Sequence, residues 1–279
     1  MKRFNDFIKR FAKNKLAIIG LIVLVVIILA AIFAPVLTKY DYYSQNLSES
    51  FLKPSKAHLM GTDKFGRDIF TRILYGARVS LKIGFFSMAI ATVAGIVIGL
   101  ICGFYGGALD NILMRIMDIM LSIPGLVLAI AIAASLGGGM KSLIIAVSVS
   151  SIPGYARIVR GQVMSVKGKE FVEASRVLGA SNTSLMFKEI LPNCLAPVIV
   201  QMTLGVGYAI LSAASLSFIG MGIEPPMPEW GQMLSEGREF IRDYPHITMF
   251  PGISIALTIL ALNIVGDGLR DALDPKLGR

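Results

Sequence analysis

The sequence predicts an all-α integral membrane protein with six transmembrane helices and a two-helix elbow on the cytoplasmic side. Of its 279 residues, 54% are hydrophobic and only 16% are charged, and the mean hydropathy is +0.70. A soluble domain carries about a quarter charged residues, so that class is excluded. The net charge of +9 does not indicate a nucleic-acid partner, because the basic residues gather in tails and loops and form no basic face with interleaved aromatics.

The first span is predicted to run from about Leu16 to Leu37. The fifteen residues before it carry six basic side chains and a single acidic one, Asp6. A secretory signal peptide has a shorter apolar core, of about 7–15 residues, and a small-residue cleavage site. We therefore expect a retained span with a cytoplasmic N-terminus.

A polar outer segment is expected between Thr38 and Ser80. It carries seven basic and four acidic residues, against the positive-inside bias, which constrains long loops only weakly. Its end, HLMGTDKFGRDIFTRILYGARVSL, is compatible with an amphipathic helix lying at the membrane interface, with Ile69, Ile73 and Leu74 on one side.

The second span is predicted from Leu81 to Tyr105 and carries glycine at every fourth position, at Gly95, Gly99 and Gly103. Small residues at this spacing let another helix approach closely in lipid, where the hydrophobic effect does not drive helices together. We therefore predict one-sided helix packing along this row.

The third and fourth spans are both expected to be distorted by proline. After a short turn at 106–111, the third span becomes apolar from about Ile119 to Leu136, with a kink at Pro124. The fourth span, from about Leu143 to Tyr155, is predicted to be interrupted at Pro153.

The fifth span is predicted from about Ala196 to Gly220. A second row of small residues lies within it, at Gly205, Ala209 and Ala213. Three prolines then break the apolar pattern, and a short outer helix is expected after Trp230. The last span, about 249–266, returns the chain to the cytoplasm, so both termini are predicted inside.

Residues 166–192 form a charged interval between apolar runs, and they predict two short helices. The first has side chains that recur at helical spacing, at Phe171, Val172, Ser175 and Leu178. Gly179 supplies a residue free to adopt a left-handed stop. Ser181 or Asn182 can cap the second helix, which Pro192 is expected to end.

No source of energy is found within the sequence. A transporter coupled to protons or sodium needs ionisable groups near the bilayer midplane, and the predicted spans carry none there. The only segment similar to the GK[ST] end of a phosphate-binding loop lies at 139–142. It has Met140 at the position where the motif needs glycine so that the backbone can come close to phosphate. ATP must therefore be hydrolysed by another polypeptide.

No catalytic or metal-binding motif is found either. His58 and His246 lie on separate outer segments without the HExxH spacing, and no GxSxG motif is present. Cys102 and Cys194 offer neither a disulfide framework nor metal-ligand spacing. An enzyme is not expected, and neither a metal site nor a cofactor is expected in this chain.

Three separated motifs resemble one family. The elbow resembles the EAA loop of ABC importer permeases, the segment that docks on the ATPase subunits in that family, in the residues Glu173, Ala174, Ser175, Gly179, Leu191 and Pro192. The segment 61–68, GTDKFGRD, and the terminal run 263–271, NIVGDGLRD, resemble the second permease type of the dipeptide, oligopeptide and nickel branch. The resemblance covers nearly the whole chain.

The resemblance implies the type I importer permease fold and half of a heterodimeric pathway, shared with a homologous permease in the plasma membrane of a prokaryote. Two cytoplasmic ATPases holding ATP and Mg²⁺ would drive it, and an external binding protein would deliver a dipeptide or oligopeptide. Nickel is the alternative cargo, although no His or Cys cluster in the predicted spans suits a metal. We assign Pro226, Trp230 and Glu236 to docking of the binding protein.

Two other interpretations remain open at this stage. The elbow fits an interfacial helix held on lipid headgroups by Lys167 and Lys169. Spans rich in hydroxyl groups and glycine also suit a channel or a structural membrane subunit, although neither explains a charged elbow of EAA form. On the family interpretation the chain divides into an N-terminal part (1–80), a permease core (81–270) and a cytoplasmic tail (271–279).

Overall fold

The computed structural model describes residues 2–273, and helices are the only regular elements in that range. The helices are α1 (Lys2–Lys13), α2 (Lys15–Ile32), α3 (Ala34–Leu37), α4 (Ile69–Tyr105), α5 (Gly107–Ser122), α6 (Gly125–Leu136), α7 (Met140–Lys167), α8 (Glu170–Val177), α9 (Asn182–Ser184), α10 (Leu191–Phe218), α11 (Trp230–Gly237) and α12 (His246–Leu273). Of the predicted cytoplasmic tail, residues 274–279 lie outside this range.

Five helices, counting 182–218 as one, are long and apolar enough to cross a membrane, and α5 with α6 adds a sixth span if the bent pair counts as one. The two are bent by 92° at Ile123 and Pro124, the position of the predicted kink. The predicted turn at 106–111 is wrong beyond Gly106, because α5 already begins at Gly107. Gly106 alone, at φ +65°, separates α4 from α5.

Helix α4 begins twelve residues before the predicted start of the second span and runs for 37 residues, about 56 Å at 1.5 Å per residue. Asp68 caps it, since its carboxylate accepts from the Thr71 backbone N–H at 2.8 Å. Ile69 and Ile73 are buried in protein. The interfacial helix is therefore wrong here, and the boundary proposed at residue 80 falls inside a helix.

Proline does not interrupt α7, which continues through Pro153, contrary to the prediction. Hydroxyl groups in the turn before the proline bond backbone carbonyls, with Ser151 Oγ donating to Val147 O at 2.8 Å and Ser148 Oγ to Ile144 O at 2.5 Å. Neither bond reaches Val149 O, the carbonyl four residues before Pro153 that the proline leaves without its N–H partner.

The glycine row of α4 faces α7. A Cβ added to Gly99 would lie 2.5 Å from Ala156 O, and one on Gly103 would lie 2.7 Å from Val163 Cβ. Gly95 meets Tyr155 in the same way. The helices therefore approach at a distance that only glycine allows.

The second row, on α10, also faces protein. Gly205 lies against Met88 and Tyr155, and Ala209 and Ala213 are buried in the core shared by α4, α6, α7 and α10. At the outer side, α11 begins at Trp230 as predicted, and its first turn is capped by Glu229.

The two ends of the described chain meet. Asn14 Nδ2 donates to Asp271 Oδ2 at 3.3 Å, and Gly268 of α12 packs on Ala17 of α2. Two residues earlier in α12, Gly266 packs on Leu204 of α10, in the half of α10 that follows the elbow. The N-terminal helices, the end of α12 and the elbow therefore lie at one end of the bundle.

Replacing Gly99 with leucine should destabilise the protein by about 1–3 kcal/mol, because its side chain has no room against α7. Thermal unfolding of the detergent-solubilised chain measures the effect. Val97→Leu on the same helix is the control, since Val97 is exposed, and its effect should stay within about 0.5 kcal/mol. Equal melting temperatures for both variants would show that this contact does not hold α4 to α7.

Candidate functional site

The elbow between α7 and α10 is anchored on one end of the bundle. Val172 of α8 and Leu185 and Ile190 of the second arm are completely buried, in one cluster with Leu100 and Phe104 of α4. Lys167 Nζ donates to Phe104 O at 2.5 Å, which ties the end of α7 to the end of α4. Both arms of the elbow are thus fixed to the transmembrane helices.

Helix α8 ends in a Schellman motif centred on Gly179. Its N–H donates to Arg176 O at 3.0 Å, the Ala180 N–H donates to Ser175 O at 3.1 Å, and Gly179 has φ +85°. These bonds satisfy carbonyl groups that the end of a helix leaves unpaired. A Cβ on Gly179 would meet nothing within 4 Å, so glycine is required by backbone conformation and not by space. The predicted left-handed stop is confirmed.

The second arm differs from the prediction. Ser181 caps it, with Oγ accepting from the Ser184 N–H at 3.3 Å, but the helix does not end at Pro192. It passes through a π-helical segment, Leu185–Ile190, and continues as α10 to Phe218. A π segment changes which carbonyls need a partner, and Asn193 Nδ2 donates to Glu189 O at 2.6 Å. Local π geometry of this kind accommodates a proline in a membrane helix.

The outer face of the elbow presents apolar side chains to solvent. Of the four residues that recur at helical spacing in the first arm, only Val172 is buried. Val177 is 86% and Leu178 is 88% exposed, and Phe187 of the second arm is 56% exposed. Burying one such side chain is worth about 1.5–3 kcal/mol. The exposed pair on a rigid, anchored helix is suited to bind another protein.

The motif residues divide between this face and the interior. Glu173, Ala174 and Gly179 are exposed, as is Pro192, while Ser175 and Leu191 are half-buried. Among residues 2–273 no ion pair joins Glu173 to Arg176. The Glu173 carboxylate is therefore available to a basic group outside this chain.

The outer residues assigned to docking are mostly internal. Trp230 is 1% exposed, and its Nε1–H donates to Ile73 O at 3.1 Å. Glu236 accepts from Arg67 Nη2 at 2.5 Å and from Arg72 Nη2 at 3.2 Å. Both are therefore committed to contacts within the chain, and the docking assignment is corrected for them. Pro226 is exposed.

Sequence reasoning missed the ion-pair network around Glu236. Arg67 and Arg72 are each 1% exposed, and Arg67 Nε also pairs with Asp63 Oδ2 at 2.6 Å. The excess of basic residues in this outer segment was the available signal. Removing one partner of a buried pair typically costs about 3–5 kcal/mol, so the network is structural and holds α11 against α4.

Comparison with known proteins identifies the family. Residues 95–279 match the family model described as "Binding-protein-dependent transport system inner membrane component". The chain belongs to this family. The N-terminal transmembrane domain of oligopeptide transport permease C matches residues 2–54. This permease is a non-enzymatic transport component of an ABC importer, as the sequence predicts.

Similar proteins match over nearly the full chain. The chain is 51% identical to the dipeptide transport system permease protein of Alkalihalophilus pseudofirmus, over 98% of this chain and 90% of that protein. It is 46% identical to the oligopeptide transport system permease protein of Bacillus subtilis, with the same coverage. It is 43% identical to the glutathione transport system permease protein of Pectobacterium atrosepticum, over 98% of this chain and 91% of that protein.

A solved structure shares the fold. The inward-facing MetNI methionine ABC transporter matches with a TM-score of 0.61 and 19% identity, over 73% of this chain and 96% of that chain. The predicted fold, an all-α type I importer permease, is confirmed.

Replacing Gly179 with alanine should loosen α8 by about 1 kcal/mol, since a β-carbon is disfavoured at positive φ. Amide hydrogen exchange of residues 170–178 measures this opening. Gly168→Ala is the matched control in the same elbow: Gly168 has φ −90° and a Cβ there also meets nothing within 4 Å. If the two variants exchange alike, the left-handed stop does not stabilise the elbow.

Proposed function

We propose that this chain is one of two homologous permease subunits that form the translocation pathway of an ATP-driven importer for dipeptides or oligopeptides. Two ATPase subunits bind ATP and Mg²⁺ and drive it, and an extracytoplasmic binding protein delivers the cargo. The names of the relatives support peptide cargo over nickel, since they transport dipeptides, oligopeptides or glutathione, itself a peptide.

The exposed apolar face of the elbow is the observation that carries the proposal. Val177 and Leu178 are presented by a short helix that is closed by Gly179 and anchored through Val172. A surface that is apolar, rigid and fixed to the spans can transmit a displacement from a docked protein. The chain itself offers no phosphate-binding loop, so an ATPase subunit is the partner that this face requires.

The elbow and both tails are proposed to lie in the cytoplasm. The elbow, the N-terminal helices and the described end of α12 occupy one end of the bundle, and the first fifteen residues carry six basic side chains against Asp6, which the positive-inside bias places on the cytoplasmic side. The interfacial interpretation of the elbow is disfavoured because Lys167 bonds a backbone carbonyl of α4 within the bundle.

Replacing Leu178 with aspartate should release the ATPase subunits, because a charge would have to be buried in their contact. The measurements are co-purification of the ATPases and uptake of a labelled dipeptide by cells that produce the whole importer. Leu59→Asp is the matched control, since Leu59 is also exposed but lies in the outer segment. Normal ATPase binding by Leu178→Asp would remove the elbow from the mechanism, and uptake of nickel but not dipeptide by the wild type would replace the proposed cargo.

The orientation can be measured by labelling single cysteines with an impermeant reagent in intact cells. A cysteine at Glu173 should be shielded, and one at Glu239, which is exposed near the outer helix, should react. Native Cys102 and Cys194 are buried and should not interfere. Reaction at Glu173 in sealed cells would invert the proposed topology.

A further inference from the structure

A groove whose lining includes five polar side chains opens between α7 and α10 at the middle of their length. Its volume is about 390 Å³, within the range of small-molecule sites. The polar side chains that line it are Ser150, Ser151, Tyr155, Gln201 and Tyr208. None of its described lining residues is charged. Polar groups within membrane spans are costly, and they mark substrate pathways when they face a cavity.

The hydrogen-bonding capacity of the groove is only partly used by the chain itself. Ser150 and Ser151 both donate to Val147 O, and the Tyr155 hydroxyl donates to Gln201 O at 3.1 Å. Each of the three hydroxyl oxygens still has lone pairs that can accept a hydrogen bond. The Gln201 side-chain amide has no hydrogen-bond partner among residues 2–273. The groove therefore offers acceptors from hydroxyls, and donors and an acceptor from the amide.

We propose that this groove is this subunit's contribution to the peptide pathway, and that it holds the cargo through backbone amides rather than through side-chain charge. This inference rests on the proposed function. A peptide backbone presents N–H donors and C=O acceptors in alternation, which the hydroxyls and the Gln201 amide complement. A lining without fixed charges also suits a carrier of peptides with differing side chains.

The inner end of the same face bears charges of both signs. Arg157 Nη2 pairs with Asp118 Oδ1 at 2.7 Å, with both side chains at least half exposed, and Arg160 binds Asp110 through two bonds of 2.6 and 2.7 Å. These pairs join α5 to α7, beside a second cavity of about 700 Å³ that Arg115 also lines. Because these arginines are paired with carboxylates of the same chain, the pairs add no net charge beside the groove.

An apolar groove elsewhere in the bundle provides a contrast to the groove between α7 and α10. It lies between α6, α10, α11 and α12 with a volume of about 350 Å³. Its lining is apolar apart from Ser215, whose hydroxyl donates to Leu211 O. Apolar grooves of this kind suit lipid or a neighbouring helix, and nothing in its lining complements a peptide backbone.

Two glycines, one in each groove, provide matched positions for a test. Gly154 lines the groove between α7 and α10 and follows Pro153 within a helix. A Cβ added to Gly154 would meet no other atom within 4 Å. Gly252 lines the apolar groove, follows Pro251 within a helix, and would place a Cβ 3.9 Å from its nearest neighbour. Leucine at either position projects into its groove without a clash in the core.

The experiment measures uptake of labelled tri-alanine by cells that produce the whole importer with each variant of this chain. Gly154→Leu should reduce uptake about tenfold or more, by obstructing the groove, while Gly252→Leu should transport like the wild type. Gln201→Met, which keeps the size but removes the amide, should raise the KM for uptake about tenfold, and Thr203→Val should not. The Thr203 hydroxyl is already bonded to Ile199 O and does not line the groove.

The outcomes separate this inference from the proposed function. If deleting the chain leaves tri-alanine uptake unchanged, the proposed function fails and the groove inference with it. If deletion abolishes uptake but Gly154→Leu and Gln201→Met are silent, only the groove inference fails. Loss of the partner permease from purified Gly154→Leu would show that the groove is a subunit contact, which also overturns the inference.

Discussion

The close approach of α4 and α7 is the constraint on which the other features depend. At Gly99 a single added carbon would lie 2.5 Å from the backbone of α7, so the two helices touch along their main chains. In lipid such contact replaces the hydrophobic effect as the force that joins helices. One end of this pair holds the elbow through Phe104 and Lys167, and the other end of α4 holds α11. Features at both ends of the molecule are therefore held by the same rigid pair of helices, α4 and α7.

The outer end is held by charge rather than by small residues. Arg67 and Arg72 are buried, and a shared partner, Glu236, lies on α11, so much of the basic excess of the outer segment is neutralised inside the protein. This is why Glu236 and Trp230 are poor candidates for docking. Pro226, which precedes α11, is exposed, and its role in docking stays a prediction.

Features set by local spacing could be predicted from the sequence. The glycine row of α4 and the stop at Gly179 depend on residues a few positions apart, and the family motif adds the role of the elbow. The continuity of α7 and α10 could not be predicted, because the sequence around Pro153 and Pro192 does not show whether a packed membrane helix breaks at proline or continues through it, as it does here with a π segment before Pro192. The pairing of Arg67 with Glu236 could not be predicted either, since 169 residues separate them.

These unpredicted features together suggest how the elbow could act on the groove. Helix α7 runs without a break from the lining at Ser151 to Lys167, three residues before α8 begins. Helix α10 runs back from Gln201 through the π segment to the second arm. The two walls of the groove therefore end in the two arms of the elbow. On the proposed function, a displacement of α8 by a docked ATPase subunit would be passed to these walls, provided that the ATPase binds the two arrangements with different affinity. The two arms differ in their local bonding, since Gly179 closes the first arm with a helix cap and the second arm contains the π segment.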